Sequence, residues 1–153
     1  MKNKGFSIAE LIVVLILAGV AIAIVSPSVN RAFRRTGVRA AVDEFASTHS
    51  LARSAAVRYG RTAEMHIDAS NARFWVEVDT SSTSSGVMDT VGVVKFVDAN
   101  AVTITTTTDL LCFDARGLPS TQNSCDAPNA TVVFSSGTRV DTVTITALGR
   151  VLR

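Results

Sequence analysis

The stretch that decides the fold is Gly5-Phe6-Ser7-Ile8-Ala9-Glu10, which opens an apolar run that continues to Val25. The run is about 20 residues long, and a helix of that length covers about 30 Å, the hydrocarbon thickness of a bilayer. Glu10 is its one charged residue. A carboxylate at membrane depth is costly and usually has a partner. The pattern therefore predicts a membrane helix that enters an assembly.

Four features coincide around this run: a basic leader with Lys2 and Lys4, then Gly5, then Phe6, and Glu10 at the fifth position counted from Phe6. This arrangement resembles the leader of the type IV pilin superfamily. The resemblance implies that a prepilin peptidase cuts after Gly5 and N-methylates Phe6. It also implies that Glu10 neutralises the N-terminal amine of a neighbouring subunit during filament assembly.

An ordinary secretory signal peptide is the alternative, because it also combines a basic start with an apolar run. Ala21 and Ala23 resemble its small-residue cleavage site. Its apolar segment is about 7–15 residues long, which is shorter than the run seen here. This alternative also leaves Glu10 unexplained.

The resemblance divides the chain into a leader over residues 1–5, a transmembrane helix half over 6–30 and a periplasmic domain over 31–153. The implied location is the bacterial inner membrane, with a single pass. Counting positive charges gives the opposite orientation, because four arginines between residues 31 and 39 outnumber the lysines of the leader. The leader motif takes precedence over that count.

Helical periodicity continues beyond the apolar run. Pro27 predicts a bend in a helix from about Phe6 to about Tyr59. Gly60 is a natural residue to end that helix. Residues that recur at alternating spacings of four and three form one face of an amphipathic helix: Val38, Val42, Phe45, His49, Ala52, Ala56 and Tyr59. His49 is predicted to be a packed, hydrogen-bonded core histidine rather than a catalytic base.

Beyond the helix, β-branched residues and alternating hydrophobicity predict strands. Turns are predicted at residues 69–72, 98–100 and 136–138, and a flexible loop at 80–86. A long helix packed on an antiparallel sheet is an α+β fold, which is also the pilin-like fold that the resemblance implies. The predicted strands are Ala63–Asp68, Arg73–Val78, Val91–Val97, Val102–Thr107, Thr131–Ser135 and Thr142–Leu148.

The charges are segregated along the chain. Residues 31–62 contain seven arginines and two acids, whereas residues 63–147 contain four basic residues and ten acids. Two interpretations stay open. The arginines of the helical stem pair with the acidic region of the same domain, or they contact anionic headgroups or acidic neighbouring subunits.

Cys112 and Cys125 are the only cysteines. The periplasmic location that the resemblance implies is oxidising, so a disulfide between them is expected, with two reduced thiols as the alternative. Neither His49 nor His66 has metal-motif spacing to the cysteines, and no metal site or cofactor is predicted.

No enzymatic activity is predicted, because the sequence contains no nucleophile motif and no glycine-rich phosphate loop. Asp114 and Asp126 flank the cysteine loop and are the nearest approach to a carboxylate pair. Acids in turns more often cap the backbone or are solvated, and these two are expected to do one or the other. No residue is assigned a catalytic role.

Residues 52–61, 113–117 and 145–151 resemble the GspH/FimT family, as a helix end, a turn between strands and a closing strand. This family includes the H-type minor pseudopilin at the tip of the type II secretion pseudopilus, and minor type IV pilins of the FimT branch. The resemblance implies a minor pseudopilin, a structural subunit for protein secretion, with other pseudopilins or pilins as partners.

The C-terminal tail keeps the second branch open. Some FimT-like pilins bind DNA through a Gly-Arg-x-Arg motif, and this chain ends Gly149-Arg150-Val151-Leu152-Arg153, with one more residue between the arginines. Arg150 and Arg153 are therefore candidate phosphate contacts. DNA binding is not favoured, because no aromatic residue lies between them for base stacking and residues 63–147 are net acidic.

Overall fold

The computed structural model describes residues 8–82, 86–97, 101–121, 125 and 129–153, apart from the side chains of residues 25–27, 30 and 31. The chain divides into two compact units, one ending at Phe33 and the other covering Arg34–Arg153. A single helix, α1, runs over Ile8–Tyr59 and contributes to both. Gly5 and Phe6, the predicted processing residues, lie outside the described part.

Within the first unit, α1 presents apolar side chains to its surroundings. Every residue from Ile8 to Ile24 is exposed, and Glu10 in the first turn is the only charged one among them. Of the residues described, none belong to a helix with the length and hydropathy needed to cross a membrane. The helix assignment continues without a break through Pro27, and the bend predicted there stays a prediction.

The second unit adds two antiparallel sheets to the C-terminal part of α1. The first sheet has the order β3-β2-β1-β6-β7, and β4 pairs with β2 beside β3; the second has the order β10-β9-β8-β5. The strands of the described chain are β1 Ala63–Asp68, β2 Arg73–Val78, β3 Asp89–Thr90, β4 Lys95–Phe96, β5 Thr103–Thr106, β6 Leu110–Phe113, β7 Pro119–Ser120, β8 Ala130–Ser136, β9 Arg139–Ile145 and β10 Val151–Leu152.

The core of this unit lies between α1 and both sheets. Phe45 on α1 meets Phe74 on β2 and Phe134 on β8, each edge-on at 5.5 Å between ring centroids. The predicted apolar face of the helix is confirmed, since its residues from Val38 to Ala56 are buried and Tyr59 is half-buried. Burial of one large apolar side chain contributes about 1.5–3 kcal/mol, so this face fixes the helix on the sheets.

Several predicted boundaries are confirmed. The helix ends at Tyr59, and Gly60 follows it with a left-handed φ of 65°. β1 and β2 have the predicted limits and pair with Asp68 opposite Arg73, so residues 69–72 form the hairpin turn. Inward side chains alternate with partly exposed ones along both strands, which is the pattern that a sheet with one covered face requires.

The predicted strand Val91–Val97 is wrong as a continuous element. Only Lys95–Phe96 is a strand there, because Gly92 adopts a φ of 85° and interrupts the extended backbone. This short strand pairs with β2, whereas β5 pairs with β8 in the other sheet. The turn predicted at residues 98–100 lies outside the described residues.

The end of the chain also differs from the prediction. The strand predicted to reach Leu148 ends at Ile145, and the Gly149 amide donates to the Thr146 carbonyl at 2.8 Å. β10 then returns antiparallel to β9, with Val151 opposite Ile145. The expected single closing strand is therefore a hairpin, because Gly149 takes a φ of 71° that turns the backbone.

Candidate functional site

A groove of about 720 Å³ lies between the C-terminal part of α1 and the turns that follow β6 and β9. Its lining includes two arginines of the helix and one from each turn. Because of these side chains we call it the arginine groove: Arg53, Arg58, Arg116 and Arg150.

Arg53 holds the two turns against the helix. Its Nε donates to the carbonyl oxygen of Gly117 at 2.9 Å, and its Nη1 donates to that of Gly149 at 3.3 Å. A backbone carbonyl that leaves water needs a donor, and the guanidinium group supplies two in a fixed geometry. Arg53 therefore joins the three stretches that resemble the GspH/FimT family, which the sequence had indicated only one by one.

The turn after β6 is organised by Asp114. Its Oδ1 accepts the backbone N–H groups of Arg116 and Leu118, each at 2.9 Å, and its Oδ2 pairs with the Arg116 guanidinium at 2.8 Å. The bond from the Leu118 N–H, followed by the Arg116 side chain, keeps the pKa of Asp114 below its ordinary value. Asp114 thus caps a turn, which is one of the two roles expected for it, whereas Asp126 lies outside the described residues.

His49 forms part of the groove lining from the buried side. It is 3% exposed, and its ring meets Phe113 edge-on at 5.0 Å. The predicted burial is confirmed, but the predicted hydrogen bond is wrong for one nitrogen, since Nε2 has no partner in the described structure. Burial, with a smaller contribution from the charge of Arg53, lowers the pKa of His49 to about 4. The imidazole is therefore neutral at pH 7.

The structure separates the two candidate DNA-binding arginines. Arg150 is exposed and lines the arginine groove. Arg153 instead pairs with Asp43 on α1, at 2.6 Å between Nη1 and Oδ1. The residues between the two arginines form β10, which is paired with β9. Arg150 and Arg153 therefore do not lie on the free extended tail that the sequence suggested.

The arginines of the helical stem are mostly not paired with acids of the same domain. Among those whose side chains are described, Arg61 alone has a carboxylate partner, Asp79, at 2.9 Å. Asp79 also accepts hydrogen bonds from Ser81 and from the Gly86 amide, and together with Arg61 these keep its pKa below the ordinary value. The intramolecular interpretation of the charge segregation therefore holds for one arginine.

Cys112 and Cys125 form a disulfide bond, the pairing expected from the sequence. Cys112 is buried on β6, so the bond ties Cys125 to the first sheet. Within the described ranges, no three His, Cys, Asp or Glu side chains are grouped so that they could hold a metal ion.

Comparison with known proteins gives the same fold and one family. A family model described as "Type II transport protein GspH" matches residues 41–149. No curated protein matches the chain. Two crystal forms of the type IV minor pilin FimU from Pseudomonas aeruginosa PAO1 are similar in structure. One has 17% identity and a TM-score of 0.55 over 77% of this chain and 88% of FimU. The other has 15% identity and a TM-score of 0.50 over 74% and 90%.

Proposed function

The chain belongs to the GspH family of type II transport proteins, and on this premise we propose that it is a minor pseudopilin, a structural subunit at the tip of a type II secretion pseudopilus. The observation that carries the proposal is the family match over residues 41–149, which covers α1 from Ala41 to its end, the strands from β1 to β9, and the groove turns as far as Gly149. The proposed role is structural and involves no catalytic step.

The first part of α1 supplies the proposed means of assembly. Its exposed apolar residues from Ile8 to Ile24 would anchor the subunit in the inner membrane and then pack against neighbouring helices in the filament. Glu10 is the one charge on this surface. We propose that it pairs with the amine of a neighbouring subunit, because an unpaired carboxylate in an apolar environment is costly.

Processing belongs to the same proposal. A prepilin peptidase would cut after Gly5 and methylate the amine of Phe6, leaving the folded domain on the periplasmic side of the membrane. Mass spectrometry of protein extracted from membranes tests this step. The expected mature chain begins at methylated Phe6, whereas an N-terminus after Ala21 or Ala23 would identify a secretory signal peptide instead.

A DNA-binding minor type IV pilin is the second candidate. Exposed Arg150 in a cationic groove favours it. The pairing of Arg153 with Asp43 weighs against it, because it removes one of the two charges that the tail was expected to offer. We therefore favour the secretion subunit.

A deletion strain separates the two candidates. For the secretion subunit, loss of the gene should abolish release of a type II substrate into the medium, with normal twitching motility and DNA uptake. Wild-type protein supplied from a plasmid should restore release. Normal secretion together with lost motility or DNA uptake would overturn the proposal in favour of the pilus.

A further inference from the structure

Not all arginines of the arginine groove are paired with other groups of the described chain. Arg53 is occupied by the carbonyls of Gly117 and Gly149, and Arg116 is paired with Asp114. Arg58 lies over the ring of Tyr59 with 5.5 Å from Cζ to the centroid, a contact that leaves its N–H groups available.

Arg150 has no side-chain partner in the part of the chain that the structure describes. Its backbone N–H donates to Thr146 Oγ1, which fixes where the side chain leaves the turn. The groove therefore presents at least two guanidinium groups, those of Arg58 and Arg150, that are able to accept an anionic partner.

The groove also has an apolar side. Val57 is 56% exposed and lines it, although the neighbouring Ala55 and Ala56 are buried in the core. His49 is almost completely buried and contributes Nε2, a nitrogen without a hydrogen-bond partner among the described residues. A buried polar atom that lacks a partner is uncommon in a folded protein and indicates a group that a ligand can satisfy.

We propose that the arginine groove binds an acidic peptide segment of a neighbouring subunit, with carboxylates on Arg58 and Arg150 and an apolar side chain against Val57. Arg–carboxylate contacts are short and often bidentate, which gives them direction as well as strength. The inference rests on the proposed function, since a filament is what places a second subunit beside this surface.

A peptide fits this surface better than a nucleic acid does. None of the described lining residues is Phe, Tyr or Trp, and the one ring in the lining, that of His49, is almost completely buried, so no exposed ring is available for a base to stack on. The surface is also concave and partly apolar, whereas phosphate contacts need only an exposed array of cations.

The segment is assigned to a different chain rather than to a second copy, because the proposed filament contains other pilin-like subunits. Of the eleven acids in the described part of the chain, five are paired with a Lys or Arg of the same chain: Asp43 with Arg153, Glu44 with Lys95, Asp68 with Arg73, Asp79 with Arg61, and Asp114 with Arg116. A second copy would have to break one of these pairs to supply any of these five carboxylates.

Binding can be measured on the full chain in a non-ionic detergent. The probe is a fluorescein-labelled peptide of alternating glutamate and leucine, followed by anisotropy. Arg150→Ala should weaken binding about three- to ten-fold, and the Arg58→Ala/Arg150→Ala double variant further, with weaker binding at higher ionic strength. Arg139→Ala is the matched control, because Arg139 is exposed on β9 and does not line the groove.

Other results would overturn the proposal. These are peptide binding that is unchanged in the arginine variants, no peptide binding at all, or tighter binding of a single-stranded oligonucleotide with the same dependence on Arg150. Glu10→Ala protein should bind the peptide like wild type. If that variant also secretes normally, the proposed assembly role of Glu10 is rejected, while the proposal that the groove binds a peptide is unaffected.

A photo-crosslinker in place of Val57 identifies the source of the segment in cells. The expected adduct joins the groove to an acidic segment of another pilin-like subunit and disappears in the Arg58→Ala/Arg150→Ala variant. An adduct with the secreted substrate, or one with a second copy of this chain, would overturn the assignment to a neighbouring subunit.

Discussion

Arg53 on α1 donates from Nε to the carbonyl oxygen of Gly117 at 2.9 Å, across 64 residues of sequence. The same guanidinium reaches the carbonyl of Gly149, 96 residues away, at 3.3 Å. Both acceptors are backbone atoms of turns, and the guanidinium group supplies each of them with a donor. The side chain thus acts as a structural tie between the helix and both sheets, and the arginine groove is formed around it.

Removing this tie should destabilise the domain. Arg53→Ala leaves two partly buried carbonyls without a donor, and an unsatisfied buried acceptor costs about 1–3 kcal/mol. Arg53→Lys should recover part of that loss, because an ammonium group can reach only one of the two carbonyls well. Thermal unfolding in detergent measures both. Arg58→Ala, one turn further along the helix and exposed, is the control and should change stability by less than about 0.5 kcal/mol. Equal melting temperatures for Arg53→Ala and Arg58→Ala would contradict the role of Arg53.

The close packing of the turn at Gly149 can be tested by comparison with Gly60, a second glycine with a left-handed φ. Gly149 and Gly60 have φ angles of 71° and 65°, so alanine strains the backbone at both. A Cβ on Gly149 would lie 2.9 Å from Cγ of Pro119, whereas one on Gly60 would meet nothing within 4 Å. Gly60→Ala should therefore cost about 1 kcal/mol and Gly149→Ala about 2–3 kcal/mol. A smaller loss for Gly149→Ala in chemical denaturation would show that the two turns do not pack as closely as described.

The sequence predicts those strands and helices in which buried and exposed residues alternate regularly along the chain. β1 was predicted with its limits because buried Ala63, Met65 and Ile67 alternate with partly exposed polar residues. β6 was not predicted as a strand, because Leu111, Cys112 and Phe113 are buried in succession and give no alternation.

The arginine groove could not be predicted for a different reason. Its parts lie on the helix and on two turns far apart in the sequence, and nothing in their local patterns states that Arg53, Gly117 and Gly149 meet. The resemblance to the family marked each part separately. What was missing was the pairing of β1 with β6 and of β9 with β10, which places the turns side by side.

Stability should depend on pH through His49. Its pKa is about 4 in the folded chain and 6.5 ordinarily, so between these values the unfolded chain binds more protons than the folded one. The contribution of neutral His49 to the free energy of unfolding is therefore fully present above about pH 6.5. It is lost as the pH drops towards 4, by on the order of 3 kcal/mol. Carboxylates with lowered pKa values, such as Asp68 and Asp114, change stability only below about their ordinary pKa of 3.8. They therefore do not contribute to the pH dependence between 4 and 6.5.

Denaturant unfolding at several pH values measures this dependence. The His49→Gln variant should lose most of the slope between pH 4 and 6.5, since it has no group that titrates there. A wild-type slope in His49→Gln would assign the effect to another group.

The disulfide should contribute measurably to stability. Closing a loop with a separation of 13 residues restricts the unfolded chain, and a loop of this size is worth about 3 kcal/mol in the chain-entropy account. A reductant should therefore lower the melting temperature of wild type. The Cys112→Ala/Cys125→Ala variant should melt near the reduced protein and should not respond to the reductant. Two thiols that react with an alkylating agent under non-reducing conditions, in protein extracted from cells without reductant, would contradict the bond.

Glu10 gives the sharpest test of assembly. In the proposed filament its carboxylate meets the amine of a neighbour in an apolar environment, where neither charge is stable alone. Glu10→Gln keeps the shape and removes the charge, so the chain should insert and be processed normally while its incorporation into the pseudopilus falls at least ten-fold. Glu10→Asp keeps the charge on a shorter side chain and should retain part of the activity.

Cross-linking to neighbouring subunits measures incorporation, and the amount of secreted substrate measures function. Wild-type levels of both in Glu10→Gln would exclude the charge pair, because the only charged side chain between Ile8 and Ile24 would then be dispensable.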